Sequence, residues 1–236
     1  MKTELELPVA PISHAEIALA ARALGATGGG SGTAQLLGLL CDENAQIDDV
    51  LRCLSTEPTL AARVLKVSNS PYYRSAGSVG TIARAVQLLG LSAIRGIAAA
   101  GCMDRIPMPA LGPSLDAESF RRHSLAVAVA AQSLSKLTGA GCDGEAFMAG
   151  LLHDIGIVLM ARLRPQAMAA AAGLRRDNAQ AALQAETDFV GGQHTACGAL
   201  LVEIWALPAW LSEAIATHHT PAAPTGSLGT AQPAPT

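Results

Sequence analysis

From Thr81 the residues TIARAVQLLG set Ile82, Ala85, Val86 and Leu89 three and four positions apart, the spacing that lines one side of an α-helix. Gly90 follows as a C-terminal cap before a second helical run, LSAIRGIAAAG. Upstream, IDDVLRCLSTEPTLAARVLKVSNSPYY predicts a helix, then a break at which Ser55 and Thr56 cap a second helix with Pro58 in its first turn. Asn69-Ser70-Pro71 should stop that second helix. Downstream, AESFRRHSLAVAVAAQSLSKL, EAFMAGLLHDIG, HTACGALLVEIW and LPAWLSEAIATHH carry the same helical spacing.

Three stretches break the pattern. ATGGGSGT, residues 26–33, reads as a flexible linker after a short amphipathic segment. RIPMPALGPSLD, with three prolines, reads as a connector, and TPAAPTGSLGTAQPAPT from Thr220 as a disordered tail. The expected organisation is therefore an N-terminal segment and linker over 1–33, one helical half over 34–104, a second over 116–219, and a tail.

Half of the 236 residues are apolar but only 3% are aromatic, which disfavours a sheet built on aromatic and β-branched pairs and predicts an all-α fold. The formal charge of −3 comes without any long basic run, so nucleic acid is not an expected partner. MKTELELPVAPISH has acids and prolines where a signal peptide has a basic end and an apolar run, and no stretch reaches about 18 uninterrupted apolar residues, so the expectation is a cytoplasmic chain with no membrane span. The five cysteines are scattered and form no C-x-x-C, which suits reduced thiols rather than a disulfide frame or a cysteine-held zinc.

The second half holds five of the six histidines, and their helical phase matters more than their number. His123 follows Phe120 by three residues and precedes Val127 by four, on the apolar stripe. His153 follows Ala149 and Gly150, small residues that let another helix approach closely. His194 leads Cys197, Gly198, Leu201 and Trp205, while His218 continues the stripe of Leu211 and Ile215. A lone histidine on an apolar face is ordinarily a satisfied core residue. An uncompensated buried polar group costs roughly 1–3 kcal/mol, so four of them on separate helices call for a shared partner. Either a cation or a connected hydrogen-bond network would serve. Imidazole and carboxylate donors together suit zinc, iron or manganese, and the adjacent pair His153 and Asp154 can reach one ion.

The order His123, His153-Asp154, His194 within H-T-A-C-G, then His218-His219 resembles the HD superfamily of metal-dependent phosphohydrolases. The whole body, from about Leu36 to Pro221, is more closely similar to the HDOD family, the HD-related output domain of bacterial signalling proteins. VLKVSNSPYY, TIARAVQLLGLSAIRGIA, FRRHSLAVA, AFMAGLLHDIG, QHTACGALLVEIWALP and AIATHHTP carry the likeness, in order, across both halves. The resemblance implies a helical bundle in two lobes, the C-terminal one HD-like, used in signal transduction through contacts with other signalling proteins. A homo-oligomer is compatible with it. It also marks His123, His153, Asp154, His194, His218 and His219 as a metal site, retained or vestigial, for one divalent transition metal such as Fe, Mn or Zn.

Three departures point away from catalysis. Active relatives have a distal aspartate after the paired histidines, whereas no acidic residue follows Glu213 here. Ile157 stands where they commonly carry a lysine after H-D-I-G, and T-P-A-A-P-T stands in place of a G-Y-P signature. Phosphoester hydrolysis needs a metal-activated water and cations on the phosphate oxygens. The reading is a regulatory domain without catalytic residues, with a nucleotide or cyclic-dinucleotide phosphohydrolase as the alternative. A helix-turn-helix in ARAVQLLGLSAIRGIA has only Arg84 and Arg95 to meet DNA and reads better as core packing.

Other residues have quieter expected roles. Arg162, Arg164, Arg175 and Arg176 read as a solvated helix face rather than an anion patch. Asn69 and Ser70 are either a helix stop or a binding loop, with Tyr72 and Tyr73 packing that loop onto the bundle. Trp205 and Trp210 should seal the core rather than stack a ligand.

Overall fold

A computed structural model describes residues 9–26, 33–42, 44–73, 78–108, 116–174 and 179–220, without the side chains of 172–174 and 179. The glycine-rich linker, most of the proline-rich connector, the tail and Arg175 with Arg176 lie outside the described residues. Every regular element among the described residues is an α-helix.

The first group comprises α1 (His14–Gly25), α2 (Thr33–Cys41), α3 (Ile47–Thr56), α4 (Pro58–Ser68), α5 (Ile82–Leu89) and α6 (Leu91–Arg105). Pro58 sits at the first position of α4, where its missing N–H costs nothing. Ser55 and Thr56 differ from expectation: they belong to the last turn of α3, and their hydroxyls donate to the Leu51 and Cys53 carbonyls instead of capping α4. With its first donor already absent, α4 starts without a side-chain cap. Asn69 ends α4 by clamping rather than by a left-handed turn, its φ being −94°. Its amide donates to the Leu65 and Val79 carbonyls, each at 2.8 Å, and accepts from the Val79 N–H at 2.9 Å. That use favours the helix stop over the binding loop. Gly90, at φ 82°, caps α5 as its position predicts.

The second group comprises α7 (Ala117–Thr138), α8 (Asp143–Leu152), α9 (Ile155–Leu163), α10 (Pro165–Leu174), α11 (Ala179–Val190), α12 (His194–Ile204) and α13 (Ala209–Thr217). α7 lies along α8, α12 against both α9 and α13, and α6 joins the groups through α8. One cluster of buried side chains runs through both groups, from Leu37, Leu54 and Ile94 to Leu152, Leu159 and Ile215. α1 shares this core. Its Ile17, Ala20, Ala21 and Leu24 are buried, and it packs on α12 and α9. Trp205 seals that contact by donating its indole N–H to the Ala21 carbonyl at 2.7 Å, and Arg164 pairs with Glu16 at 2.9 Å rather than facing solvent alone. Tyr72, by contrast, is 86% exposed and meets Tyr73 edge to face, so it does not pack the loop inward.

Among the described residues one stretch, Asp143–Leu163, is long and apolar enough to cross a membrane by length and composition. It is 67% buried inside the fold and carries His153 and Asp154 at its middle, the profile of a core helix pair.

Candidate metal centre

Two close helix approaches assemble the centre. At Gly150 of α8 an added Cβ would lie 2.7 Å from the Cα of Ala128, so only hydrogen there lets α7 come this near. At Gly156 of α9 an added Cβ would overlap the carbonyl of His194, and Gly198 of α12 faces Gly156 from the other side. The glycines of H-D-I-G and H-T-A-C-G thus set the backbones of α9 and α12 in contact. Helix ends then deliver most of the ligand atoms: His153 terminates α8, Asp154 precedes α9, His194 opens α12 and His218 ends α13. A carboxylate at the start of α9 is also favoured by the helix dipole.

Asp154 lies at the middle, one carboxylate oxygen to each side. Its Oδ2 is 3.3 Å from His153 Nε2 and 3.7 Å from His123 Nε2. Its Oδ1 is 3.2 Å from His194 Nε2 and 3.7 Å from His218 Nε2. The two histidines on each side have their Nε2 atoms 3.3 Å apart. His219 completes the second side, its ring 4.1 Å from that of His218, and the ligand atoms of Asp154, His194, His218 and His219 fall within 4.8 Å of one another. All six residues singled out in the sequence therefore meet at one place. His123 is the one whose burial differs from expectation. Its side chain is 54% exposed, at the rim of the cluster where α7 packs along α8.

The opposite ring nitrogens settle the tautomers. A carbonyl can only accept, so the contacts of His153 Nδ1 with the Gly150 carbonyl and of His218 Nδ1 with the Ile215 carbonyl, both 2.8 Å, place the hydrogen on Nδ1. In the neutral ring Nε2 then turns a lone pair toward Asp154, the form a metal ligand needs. His194 does the same with a stronger partner. Its Nδ1 is 2.7 Å from Glu186 Oε2, and that oxygen also accepts the His194 backbone N–H at 2.9 Å.

Glu186 escaped the sequence reading. Both it and His194 are fully buried at their side chains. The available signal was a carboxylate on the apolar stripe of α11, between Leu183 and Val190 and eight residues before His194.

Protons compete for the same atoms. Burial opposes charge on His194, but hydrogen bonds from its ring to Asp154 and Glu186 prevail and lift its pKa to about 9. For His153 burial is likewise outweighed by Asp154, and its pKa rises. Asp154 resists its own burial through His153, His194 and His218 and stays far below the usual carboxylate range. Burial and the neighbouring His218 and His194 push His219 down. Without a cation the cluster is a charged imidazolium–carboxylate network; with one, Nε2 protons must leave. Convergent Nε2 atoms, a two-sided carboxylate and a carboxylate behind His194 fit a divalent transition metal.

None of the curated proteins matches the chain significantly. Solved structures do. A Shewanella amazonensis protein named as a candidate phosphohydrolase is 28% identical, with a TM-score of 0.69 over 88% of this chain and 72% of its own. An HDOD domain protein of unknown function from Geobacter sulfurreducens is 27% identical, with a TM-score of 0.67 over 89% and 72%. A candidate signal-transduction protein from Marinobacter aquaeolei shares the fold at 22% identity, with a TM-score of 0.66 over 89% of this chain and 51% of its own. The HDOD domain model matches residues 32–221, so the chain belongs to the HDOD family.

Proposed function

We propose that the chain is a cytoplasmic regulatory domain of bacterial signal transduction, acting through contacts with other signalling proteins. In this reading a divalent transition metal, iron, manganese or zinc, is held at the histidine centre as part of the domain's structure rather than for turnover. His123, His153 and Asp154 on one side, and Asp154, His194 and His218 with His219 on the other, would hold it. Nucleic acid and membrane are not partners in this reading, and self-association is open to it.

One observation carries the proposal. Residue 157, directly after H-D-I-G, is an isoleucine packed in the core at 2% exposure. The centre keeps donors for a metal while the neighbouring position offers no cation to a phosphate. A bound metal would supply a Lewis acid, but stabilising the charge that builds on phosphate oxygens calls for cations as well.

The convergence of Nε2 atoms on both oxygens of Asp154 favours a second reading, a phosphohydrolase acting on a nucleotide or cyclic dinucleotide. The name of the Shewanella relative leans the same way. The deciding experiment uses protein purified without a metal-affinity step, analysed for metals and assayed for phosphate release with added Mn(II). Bound metal without release supports the regulatory domain. Release that His153→Ala abolishes establishes the hydrolase instead.

A further inference from the structure

Away from the histidines, a cavity of about 300 Å³ opens where α2, α6, α8 and α13 meet. Its walls are of two kinds. Leu40, Phe147, Met148 and Trp210 line it with apolar and aromatic surface, whereas Arg95 of α6 and Glu145 of α8 bring opposite charges to the same space. Trp210, expected to seal the core, is only partly buried here.

The two charges do not satisfy each other, being too far apart for an ion pair. Among the described residues Arg95 is held by one hydrogen bond, from Nη2 to the Ala45 carbonyl at 2.8 Å. Its Nε is buried without a hydrogen-bond partner among the described residues. Among the described residues this guanidinium is met by a neutral carbonyl alone, which leaves it under-compensated in a half-enclosed space. Glu145, half-buried in the first turn of α8, makes no side-chain hydrogen bond or ion pair among the described residues.

These walls restrict what fits. A purely apolar ligand would bury both charges unpaired, and a purely anionic one would meet Glu145. The volume lies at the small end of ligand pockets. We propose that the cavity binds a free amino acid with an apolar side chain. Its carboxylate pairs with Arg95, its ammonium with Glu145, and its side chain lies against Phe147, Met148 and Trp210. The site stands independently of any metal or hydrolytic function. It touches the starts of α8 and α13, whose far ends are His153 and His218, about eight residues and about 12 Å along each helix.

Calorimetric titration of the full chain with L-phenylalanine and L-leucine tests the proposal. Saturable one-to-one binding is expected for at least one of them. For phenylalanine, removing the ammonium (3-phenylpropionate) or the carboxylate (2-phenylethylamine) should weaken binding about tenfold or more. Arg95→Met and Glu145→Gln should do the same. Gly144→Leu supplies the control for folding. A Cβ added at Gly144 would have only Ser92 Oγ nearby, at 3.9 Å, so the leucine would occupy the cavity while improving helix propensity. That variant should keep or raise the melting temperature and lose the ligand. Absence of saturable binding by the folded wild type, an analogue that binds as tightly as phenylalanine itself, or binding that survives Gly144→Leu would each overturn the assignment.

Discussion

The two sides of Asp154 are built from the same imidazoles yet differ in what stands behind them. On the Oδ1 side His194 is fully buried, is backed by the buried Glu186, and opens a helix whose backbone touches α9. On the Oδ2 side His153 leans on a single carbonyl, and His123 projects from a helix with one open face. Orientation on the closed side is enforced by packing and a charge-assisted hydrogen bond. On the open side it depends in part on a side chain free to choose rotamers. Chemical identity of ligands therefore does not imply equal preorganisation.

The largest effect should come from Gly156→Ala. Its Cβ would overlap the His194 carbonyl, and backbone on both helices leaves little room to yield. A loss of about 3 kcal/mol or more is expected in urea unfolding, with the metal centre lost as well. Gly150→Ala, the matching change on the open side, should cost less, about 1–3 kcal/mol, since α7 can shift outward. Equal losses would erase the proposed asymmetry.

Next, Asp154→Asn removes the charge that both sides share while keeping its shape. The folded variant should retain no stoichiometric transition metal by elemental analysis. Retention of one ion would mean that one side suffices.

Glu186→Gln isolates the closed side. Substitutions behind a ligating histidine typically weaken metal binding about 10- to 100-fold, and chelator competition would measure the loss. A pH series adds the sign. His194 has its folded pKa raised to about 9, so in metal-free protein its stabilisation is fully present below its unfolded pKa and disappears as pH climbs through the folded value. Metal binding runs the other way, because the Nε2 proton must leave, so affinity should strengthen with rising pH toward about 9. Replacing Glu186 removes one group that raises the pKa, and the steep part of that curve should move to lower pH.

Much of this arrangement was legible in the chain because helical phase is a strong signal: His153, His194 and His218 lie on apolar stripes, and the structure brings them to one point. Asp154 was legible by adjacency. Glu186 was not, since pairing it with His194 needs the turn between α11 and α12, which no periodicity specifies. His123 was read onto the apolar stripe of Phe120 and Val127, but the buried face of α7 runs through Phe120, Ser124, Ala128 and Ser135, and His123 lies beside it at the rim. Ser55 and Thr56 likewise have the composition of caps, yet Pro58 removes one donor that a cap would have served. The opposed charges of Arg95 and Glu145 lie 50 residues apart in sequence and meet only through the docking of α6 on α8.

The smallest effect should follow His123→Ala, the probe of the open side. The side chain is 54% exposed, so its loss leaves no buried cavity, and the change in unfolding free energy should stay within about 0.5 kcal/mol. Metal affinity should fall by less than in Glu186→Gln, even though His123 offers a donor atom directly and Glu186 acts only through His194. The ranking reverses ordinary expectation because a mobile donor must be ordered before it binds, and water can take its place, whereas Glu186 holds the deepest imidazole in its ligating tautomer. Chelator competition on the two variants side by side gives the answer. A larger loss for His123→Ala would show that the exposed ring carries the ion and that the buried network around His194 serves the fold alone.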